Sequence, residues 1–283
     1  MRKESLLVKM WNVLWPLLIY SIAQVVTTFV GSLIAGYEYA LYFLLAAAVI
    51  CIPIYYKMYK KDCDLAGKVK RNIPMENKDY IAIIITGAAL AIAMNNIITI
   101  TPLPYLFKGY EETNEVLFGG PVVLQIMTAG IFSCIVEEMS HRGVVYLRMK
   151  RYWGQRTAMI LSALVFGIYH LNVVQAVYAF FLGLFFAWLY ERYDSLWAPI
   201  IGHMSANLFV IVLGSSELVL RVMSNLVGFC LITCIAFLVF YYGWRFMNQT
   251  NPLVELEFVD KEPDTLEGLT REYKEQEREE GKH

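Results

Sequence analysis

The chain has little charge for its length. Only 17% of its 283 residues are charged, whereas 58% are hydrophobic, and the mean hydropathy is +0.48. A soluble globular chain would carry nearer a quarter charged residues, so the composition predicts an integral membrane protein whose first partner is the lipid bilayer. The net charge is −1. The Lys and Arg residues stand at the ends of apolar runs rather than along one basic face, which excludes a nucleic-acid-binding protein.

Sequence patterns that would fix other folds are missing as well. The five cysteines are odd in number, lie mostly inside apolar runs and include no CxxC spacing. Neither a disulfide framework nor a zinc knuckle follows from them. No repeat of fixed period and no nucleophile elbow is visible.

Long apolar runs are present instead. A membrane-spanning helix needs about 20 mostly apolar residues, at about 1.5 Å each. The fifth run is short, so we expect the turn at Leu171-Asn172 to lie below the outer surface of the membrane. The fold class that we predict is all-α, a polytopic bundle of about eight transmembrane helices. These are residues 12–35, 40–58, 79–100, 121–147, 157–171, 173–190, 195–213 and 222–246.

Basic residues alternate between the loops. The N-terminus and the loops after the second and fourth runs are rich in Lys and Arg, whereas the loops after the third and seventh runs are poor. Because basic residues stay on the cytoplasmic side, both termini are predicted to be cytoplasmic. The tail from about Asn251 is dense in Glu and Lys and has almost no apolar content after Phe258. We expect it to be solvated and largely disordered.

Ionisable residues interrupt three of the apolar runs. Each costs at least about 2.5–3.5 kcal/mol on insertion into a membrane, so its presence there indicates a functional role by default. Counted at about 1.5 Å per residue from the nearest cytoplasmic charge, Glu138, His170 and His203 lie about 15, 21 and 14 Å deep, near the middle of the bilayer core. The polar residues are Glu137, Glu138, His141 and Arg142 in the fourth run, His170 in the fifth, and His203 and Asn207 in the seventh.

Spacing within the helices leaves a structural and a functional interpretation open. Glu138 and Arg142 are four residues apart, so they share a helix face and could be an ion pair that neutralises itself in a tight bundle. Glu137 then points about 100° away and needs its own partner. A single buried histidine is usually a packing residue, but two histidines at one depth favour a site.

Hydrolysis is the chemistry that fits these side chains. A carboxylate and an imidazole can share a water as general base, while a second histidine and an amide hold the oxyanion that forms when a peptide carbonyl is attacked. The same Glu and His atoms could instead bind zinc with a water in the open position. The residues alone leave both chemistries open.

Three motifs follow one another on successive membrane helices: EExxxR at residues 137–142, FxxxH at 166–170 and HxxxN at 203–207. In this order they resemble the CPBP family of intramembrane endopeptidases, the CAAX proteases and bacteriocin-processing enzymes, also called the Abi family. The resemblance covers roughly residues 120–212 and implies a polar cavity open towards the cytosol. The domains expected are transmembrane helices 1–3 with their loops (1–120), a CPBP-like catalytic core (121–247) and a charged cytoplasmic tail (248–283).

The resemblance also implies roles for the motif residues. The family has been described both as metalloproteases and as metal-independent glutamate proteases, so the expected cofactor is none or Zn²⁺. If zinc is used, the ligands expected are Glu137, His170 and His203. The catalytic roles expected are water activation by Glu137 and His170, ordering of the site by Glu138 and Arg142, and oxyanion binding by His203 and Asn207.

The function expected is therefore hydrolysis of a peptide bond in a membrane-associated peptide or protein, by a multi-pass protein of a prokaryotic cell membrane. The motifs do not identify the substrate. An alternative is a non-catalytic membrane scaffold or regulator that binds a sensor kinase or an envelope partner, but a scaffold has no physical need for two Glu and two His residues at one depth. A proton-coupled transporter is a third interpretation, because buried Glu and His residues form proton relays. The paired repeats and broken helices of transporters are not evident.

Overall fold

The computed structural model describes residues 5–65, 75–107 and 119–250, and every regular element in these ranges is helical. The predicted all-α membrane bundle is confirmed. The predicted disordered tail, and the loop charges counted within residues 66–74 and 108–118, lie outside the described residues. Short helices at Tyr37–Tyr39, Leu103–Leu106 and Glu217–Met223 join the longer ones. The long helices are Leu6–Ala35 (α1), Ala40–Leu65 (α2), Asn77–Thr99 (α3), Val122–Trp153 (α4), Gln155–Tyr169 (α5), Val173–Tyr193 (α6), Trp197–Gly214 (α7) and Leu226–Thr250 (α8).

Seven of these helices are long and apolar enough to cross a membrane, and α5 is the one that is not. It has 15 residues, about 22 Å at 1.5 Å per residue, which is less than the roughly 30 Å of a bilayer core. The prediction of a short fifth helix is therefore confirmed, and α5 has as many residues as the predicted run 157–171 but lies two residues earlier in the chain. The chain turns early because the Asn172 side chain accepts hydrogen bonds from the amides of Val174 and Gln175 and starts α6 at once.

The helix ends next to the basic loops lie together on one side of the bundle. Arg148 near the end of α4 pairs with Asp62 near the end of α2 at 2.8 Å. Lys150, also in the last turns of α4, pairs with Glu191 at the end of α6 at 2.6 Å. The alternation of charge along the sequence thus corresponds to one basic side of the folded protein.

Pro16 interrupts the hydrogen bonds of α1, and two neighbouring helices repair the interruption. A proline has no N–H, so the carbonyl of Asn12 loses its partner one turn earlier. Arg148 replaces that partner, with its Nη1 atom 2.6 Å from the Asn12 oxygen. The Tyr55 hydroxyl of α2 donates to the Pro16 carbonyl at 2.7 Å and accepts from the Tyr20 amide at 3.2 Å. These bonds fix α1 against α2 and α4.

Small residues bring α3 close to α7 and α8. A Cβ atom at Gly87 would lie 2.6 Å from the Gly202 carbonyl oxygen, and one at Gly243 would collide with the Thr86 side chain. Lipid tails are as apolar as the helix surfaces, so membrane bundles depend on such close packing rather than on a hydrophobic driving force. The packing sets the position of α7, which carries His203 one residue after Gly202.

The helix that carries the EExxxR motif is not a regular α-helix. Two stretches of α4, Ile126–Phe132 and Met139–Tyr146, are π-helical. Glu137 and Glu138 end the α-helical segment between them. Such stretches are rare and frequently occur at functional sites.

Candidate active site

Glu138 is the centre of a buried group of side chains. Its Oε1 atom accepts a hydrogen bond from Arg142 Nη1 at 3.0 Å and another from His203 Nδ1 at 2.9 Å. The exposed fractions of the three side chains are 0, 0 and 6%. Because a carboxylate oxygen accepts hydrogen bonds, Nδ1 of His203 carries a proton. We call Glu138, Arg142 and His203 the buried half of the motif cluster.

Arg142 joins three helices through its guanidinium. Its Nη2 atom donates to the Gly183 carbonyl of α6 at 2.9 Å, and its Cζ atom lies 4.5 Å from the centre of the Phe166 ring of α5. A Cβ atom at Gly183 would lie 3.1 Å from Nη2, so a larger residue there would force the guanidinium away. The i,i+4 spacing of Glu138 and Arg142 therefore gives an ion pair that is held in place on several sides.

Glu137 is in a different environment from its neighbour in the chain. Its side chain is 15% exposed, and its Oε2 atom lies 3.9 Å from His203 Nε2. That distance is too long for a hydrogen bond, although a water can bridge such a gap. Among the described residues it forms no ion pair with Lys or Arg, whereas Glu138 does. Glu137 is thus the carboxylate of this pair that is not neutralised by a basic residue.

His170 ends α5 with one ring nitrogen already bound. Its Nδ1 atom lies 2.8 Å from the Phe166 carbonyl oxygen. A carbonyl can only accept, so Nδ1 carries the proton and Nε2 of the neutral ring is available as a base. No ion pair within 4.0 Å joins His170 to Glu137 in the described part of the chain, so their joint action on a water stays a prediction.

Asn207 lies one helical turn after His203 and has both amide protons engaged. Its Nδ2 atom donates to the Ala129 carbonyl at 2.9 Å and lies 3.4 Å from Cys134 Sγ. Ala129 belongs to the first π-helical stretch. A thiol sulfur is a weak acceptor, so an oxyanion could replace it. Glu137, His170 and Asn207 are all partly exposed, and we call them the open half of the motif cluster.

The Phe166 ring contacts three histidines of the site. The centre of its ring lies 5.0 Å from that of His141, 5.1 Å from that of His170 and 5.7 Å from that of His203, each in an edge-on arrangement. The spacing FxxxH was the sequence signal for this residue, although spacing gives no role for a phenyl ring.

His141 is fully buried beside the site. Its Nδ1 atom lies 2.9 Å from the Glu137 carbonyl oxygen, and its ring packs edge-on against Tyr169 at 5.1 Å as well as against Phe166. Its Nε2 atom has no hydrogen-bond partner in the described part of the chain. The residue supports the contact between α4 and α5.

Other residues of the site carry no sequence signal. Phe186 stacks on His203, with ring centres 4.8 Å apart and planes 24° apart. Like Gly183, it lies in the uninterrupted apolar run of α6, where nothing distinguishes one residue from the next. Cys134 is fully buried, and only the folded structure brings it to Asn207.

The N-terminal helix reaches the site too, although none of its residues belongs to a motif. The Tyr20 hydroxyl lies 3.3 Å from Ser133 Oγ, one turn before Glu137. Ser21 Oγ donates to the Tyr169 hydroxyl at the end of α5 at 3.2 Å. Helix α1 therefore contacts both the helix that carries EExxxR and the helix that carries FxxxH.

An apolar groove of about 350 Å³ lies elsewhere, between α3 and α8. None of the motif residues lines it. Its lining residues include Ala82, Thr86, Ile235, Tyr242 and Phe246.

The donor atoms as placed do not fit a zinc ion. Zinc takes at least three protein ligands at about 2.0–2.3 Å. The described residues contain no group of three or more His, Cys, Asp or Glu side chains that could hold a metal. The Nδ1 atoms of His170 and His203 are engaged by Phe166 and Glu138, which leaves their Nε2 atoms available to a ligand, but no third side chain of the described residues joins them there. We therefore derive no catalytic step through a metal.

Comparison with known proteins identifies relatives of the segment that contains all three motifs. Residues 119–209 match the family described as "Type II CAAX prenyl endopeptidase Rce1-like". A protein of Bacillus subtilis (strain 168), described as "Putative membrane peptidase YdiL", is 29% identical over 92 residues, which are 32% of this chain and 38% of that protein. No solved structure matches the chain. The resemblance to the CPBP family is confirmed for the third of the chain that carries the motifs.

Proposed function

We propose that the protein is an intramembrane endopeptidase that hydrolyses a peptide bond of a membrane-associated peptide or protein. The observation that carries the proposal is the difference between two adjacent carboxylates. Glu138 is buried and bound by Arg142 and His203, whereas Glu137 is partly exposed, has no Lys or Arg partner in the described residues and lies 3.9 Å from His203 Nε2. The match to CAAX-protease-like peptidases supports the same class of reaction.

Glu137 and His170 act as the general base. A water held by the Glu137 carboxylate and by the free Nε2 atom of His170 gives up a proton as its oxygen attacks the carbonyl carbon of the substrate. The same proton then passes to the leaving nitrogen when the C–N bond breaks. One water is consumed, and a carboxylic acid and an amine are released.

His203 and Asn207 bind the oxyanion that forms in this step. Glu138 holds Nδ1 of His203, so Nε2 is turned to the Glu137 side and can donate a hydrogen bond when it is protonated. The Asn207 amide leaves the Cys134 sulfur and donates the second bond. Donors already in position at developing negative charge make a large contribution to catalysis.

We place no metal in this mechanism. Its base and its oxyanion donors are all side chains of the chain, and the donor set does not converge on one point. Treatment with a chelator, followed by elemental analysis and an activity assay, tests this. If the chelator removes stoichiometric zinc and abolishes activity, and added zinc restores it, the zinc-dependent mechanism replaces this proposal.

We also propose that both termini face the cytoplasm and that the site opens to that side. The grouping of basic helix ends supports this orientation. In a cysteine-free variant, a cysteine placed at position 65 should be shielded from an impermeant thiol reagent in intact cells, and one at position 112 should react. Labelling of the cysteine at 65 but not of the one at 112 would show the opposite orientation.

The proposed activity is tested with a library of synthetic peptides that each carry one apolar anchor, reconstituted in vesicles with the purified protein. Mass spectrometry should find new peptide termini with wild type and none with Glu137→Gln. Glu38→Gln, at an exposed position in the short helix Tyr37–Tyr39, is the matched control and should cleave as wild type does.

The alternative function, a scaffold for a sensor kinase or another envelope partner, makes the opposite prediction. In that case Glu137→Gln retains the cellular function when it replaces the wild-type gene. Loss of function in Glu137→Gln, at normal protein level, supports the protease.

A further inference from the structure

Among the described residues, the buried Lys and Arg side chains are Arg142, Lys150 and Arg192, with exposed fractions of 0, 7 and 3%. Arg142 pairs with Glu138 at 3.0 Å and Lys150 with Glu191 at 2.6 Å. Arg192 differs from both. Its Nε, Nη1 and Nη2 atoms are all buried, and by hydrogen-bond geometry none of them has a partner within residues 5–65, 75–107 and 119–250.

The surroundings of Arg192 do not provide the missing acceptor. Asp79 at the start of α3 acts on it only through its charge. The Oδ1 atom of Asp79 accepts from the Tyr193 hydroxyl at 3.2 Å, and Oδ2 accepts from the Glu76 amide at 2.9 Å. The Tyr193 hydroxyl also acts on the guanidinium, but it is neutral and can accept from at most one of the five N–H groups. Trp188 lies on one side, with its ring centre 5.7 Å from Arg192 Cζ.

A buried guanidinium without an anion is costly. It cannot lose its proton in a protein, and a buried ion without bonded acceptors costs up to several kcal/mol even after relaxation, of which the charge of Asp79 offsets only a part. A cation–π contact such as the one with Trp188 contributes about 0.5–2 kcal/mol. The remainder of the cost favours the binding of an anion.

The position of Arg192 indicates where that anion comes from. The residue lies in the last turn of α6, on the side of the bundle where the basic helix ends gather. Trp188, which lies beside it, packs against Trp244 of α8 with ring centres 6.4 Å apart, and such aromatic residues mark the membrane interface. Basic pockets between transmembrane helices at this level bind the headgroups of anionic lipids.

We propose that Arg192 binds the phosphate group of an anionic phospholipid in the leaflet on this side of the membrane. The planar fork of N–H groups matches two phosphate oxygens, and Trp188 remains on the face of the guanidinium. The nitrogens are covered in this conformation, so the side chain extends along its apolar stem towards the interface when it engages the lipid. The site is separate from the motif cluster, since Arg192 lies about 14 Å along α6 from Gly183.

The test compares Arg192→Met with Arg151→Met, which removes the same charge from an exposed position near the end of α4. The full chain is purified in detergent free of phospholipid, and its melting temperature is measured alone, with phosphatidylglycerol and with inorganic phosphate. We expect phosphatidylglycerol to stabilise wild type and Arg151→Met. Arg192→Met should bind this lipid about tenfold more weakly, a difference of about 1.4 kcal/mol. Without lipid, Arg192→Met should be at least as stable as wild type.

Three outcomes would overturn the proposal. The first is equal stabilisation of wild type and Arg192→Met by phosphatidylglycerol. The second is stabilisation by inorganic phosphate with no further effect of the lipid, which would make this a free-anion site. The third is a lower melting temperature of Arg192→Met without lipid, which would mean that the protein itself supplies a partner. If Arg192→Met does not fold, Arg192→Lys takes its place, because it retains the charge without the planar fork. Phosphatidylglycerol should then stabilise Arg192→Lys less than wild type, and equal stabilisation would overturn the proposal.

Discussion

Glu137 and Glu138 are neighbours in the chain, yet they belong to opposite halves of the motif cluster. In the buried half, Arg142 and His203 occupy one oxygen of Glu138, and none of the three side chains is more than 6% exposed. In the open half, the one ion pair of Glu137 among the described residues is with His203 Nε2, at 3.9 Å, and the side chain remains partly exposed. The two carboxylates therefore differ in their bound partners rather than in residue type or depth, and this difference is the reason for proposing Glu137 as the reactive one.

The largest effect is expected in the open half. Glu137→Ala and His170→Ala should each reduce turnover by about 10²–10⁴-fold, because general-base catalysis contributes about that much. Substrate binding and the melting temperature should stay near the wild-type values. The double variant should be no slower than either single variant, as expected for residues that act as a unit. Cleavage that persists in both single variants would refute the assignment of the base.

The second largest effect is expected in the buried half. There the substitution should lower the stability of the protein, not only the rate of the chemical step. Glu138→Gln leaves Arg142 buried without its anion, so the free energy of unfolding should fall by about 3–5 kcal/mol. Denaturation of the purified protein in mixed micelles measures the change, with Glu137→Gln as the matched control. If both variants unfolded alike, the distinction between the two halves would be lost.

Asn207 tests whether the open half binds the oxyanion. Asn207→Asp places negative charge where the reaction develops it, and loss of one oxyanion donor already costs about 10²–10³ in rate. We expect kcat to fall by at least that factor, with little change in KM. A variant with normal kcat would remove Asn207 from the mechanism.

The smallest effect is expected at Cys134, whose sulfur holds the Asn207 amide at 3.4 Å. A serine hydroxyl at this position is a stronger acceptor and would compete better with the oxyanion, so Cys134→Ser should lower kcat several-fold. Cys51→Ser is the matched control, because Cys51 is equally buried but packs in the hydrophobic core of α1, α2 and α4. An equal change in both variants would indicate a general packing effect.

The sequence predicts the helices well where apolar runs have clear ends. The run at 79–100 corresponds to Asn77–Thr99, and the run at 173–190 to Val173–Tyr193. It predicts α4 less well, because that helix continues beyond its apolar part to Trp153, where Gly154 with φ +79° ends it. It places α5 two residues too late, at 157–171 instead of Gln155–Tyr169, because hydropathy does not reveal that Asn172 caps the next helix.

The candidate site could be predicted in its members but not in its connections. Spacing along one helix is enough to pair Glu138 with Arg142. The contact of His203 with Glu138 depends on how closely α7 packs against α4, where a Cβ atom at Gly130 would lie 2.5 Å from the Leu208 side chain. Arg192 shows the same limit, because Asp79 of α3 comes close to it only in the folded chain.

The central claim is that Glu137 activates water without a metal. The most direct measurement is single-turnover cleavage of a membrane-anchored peptide by wild type and Glu137→Gln, after chelator treatment and with the metal content determined. We predict that metal-free wild type cleaves at its original rate and that Glu137→Gln, equally folded, does not. The proposal would be contradicted if removal of the metal abolished wild-type cleavage and zinc restored it. Cleavage by Glu137→Gln would contradict it as well.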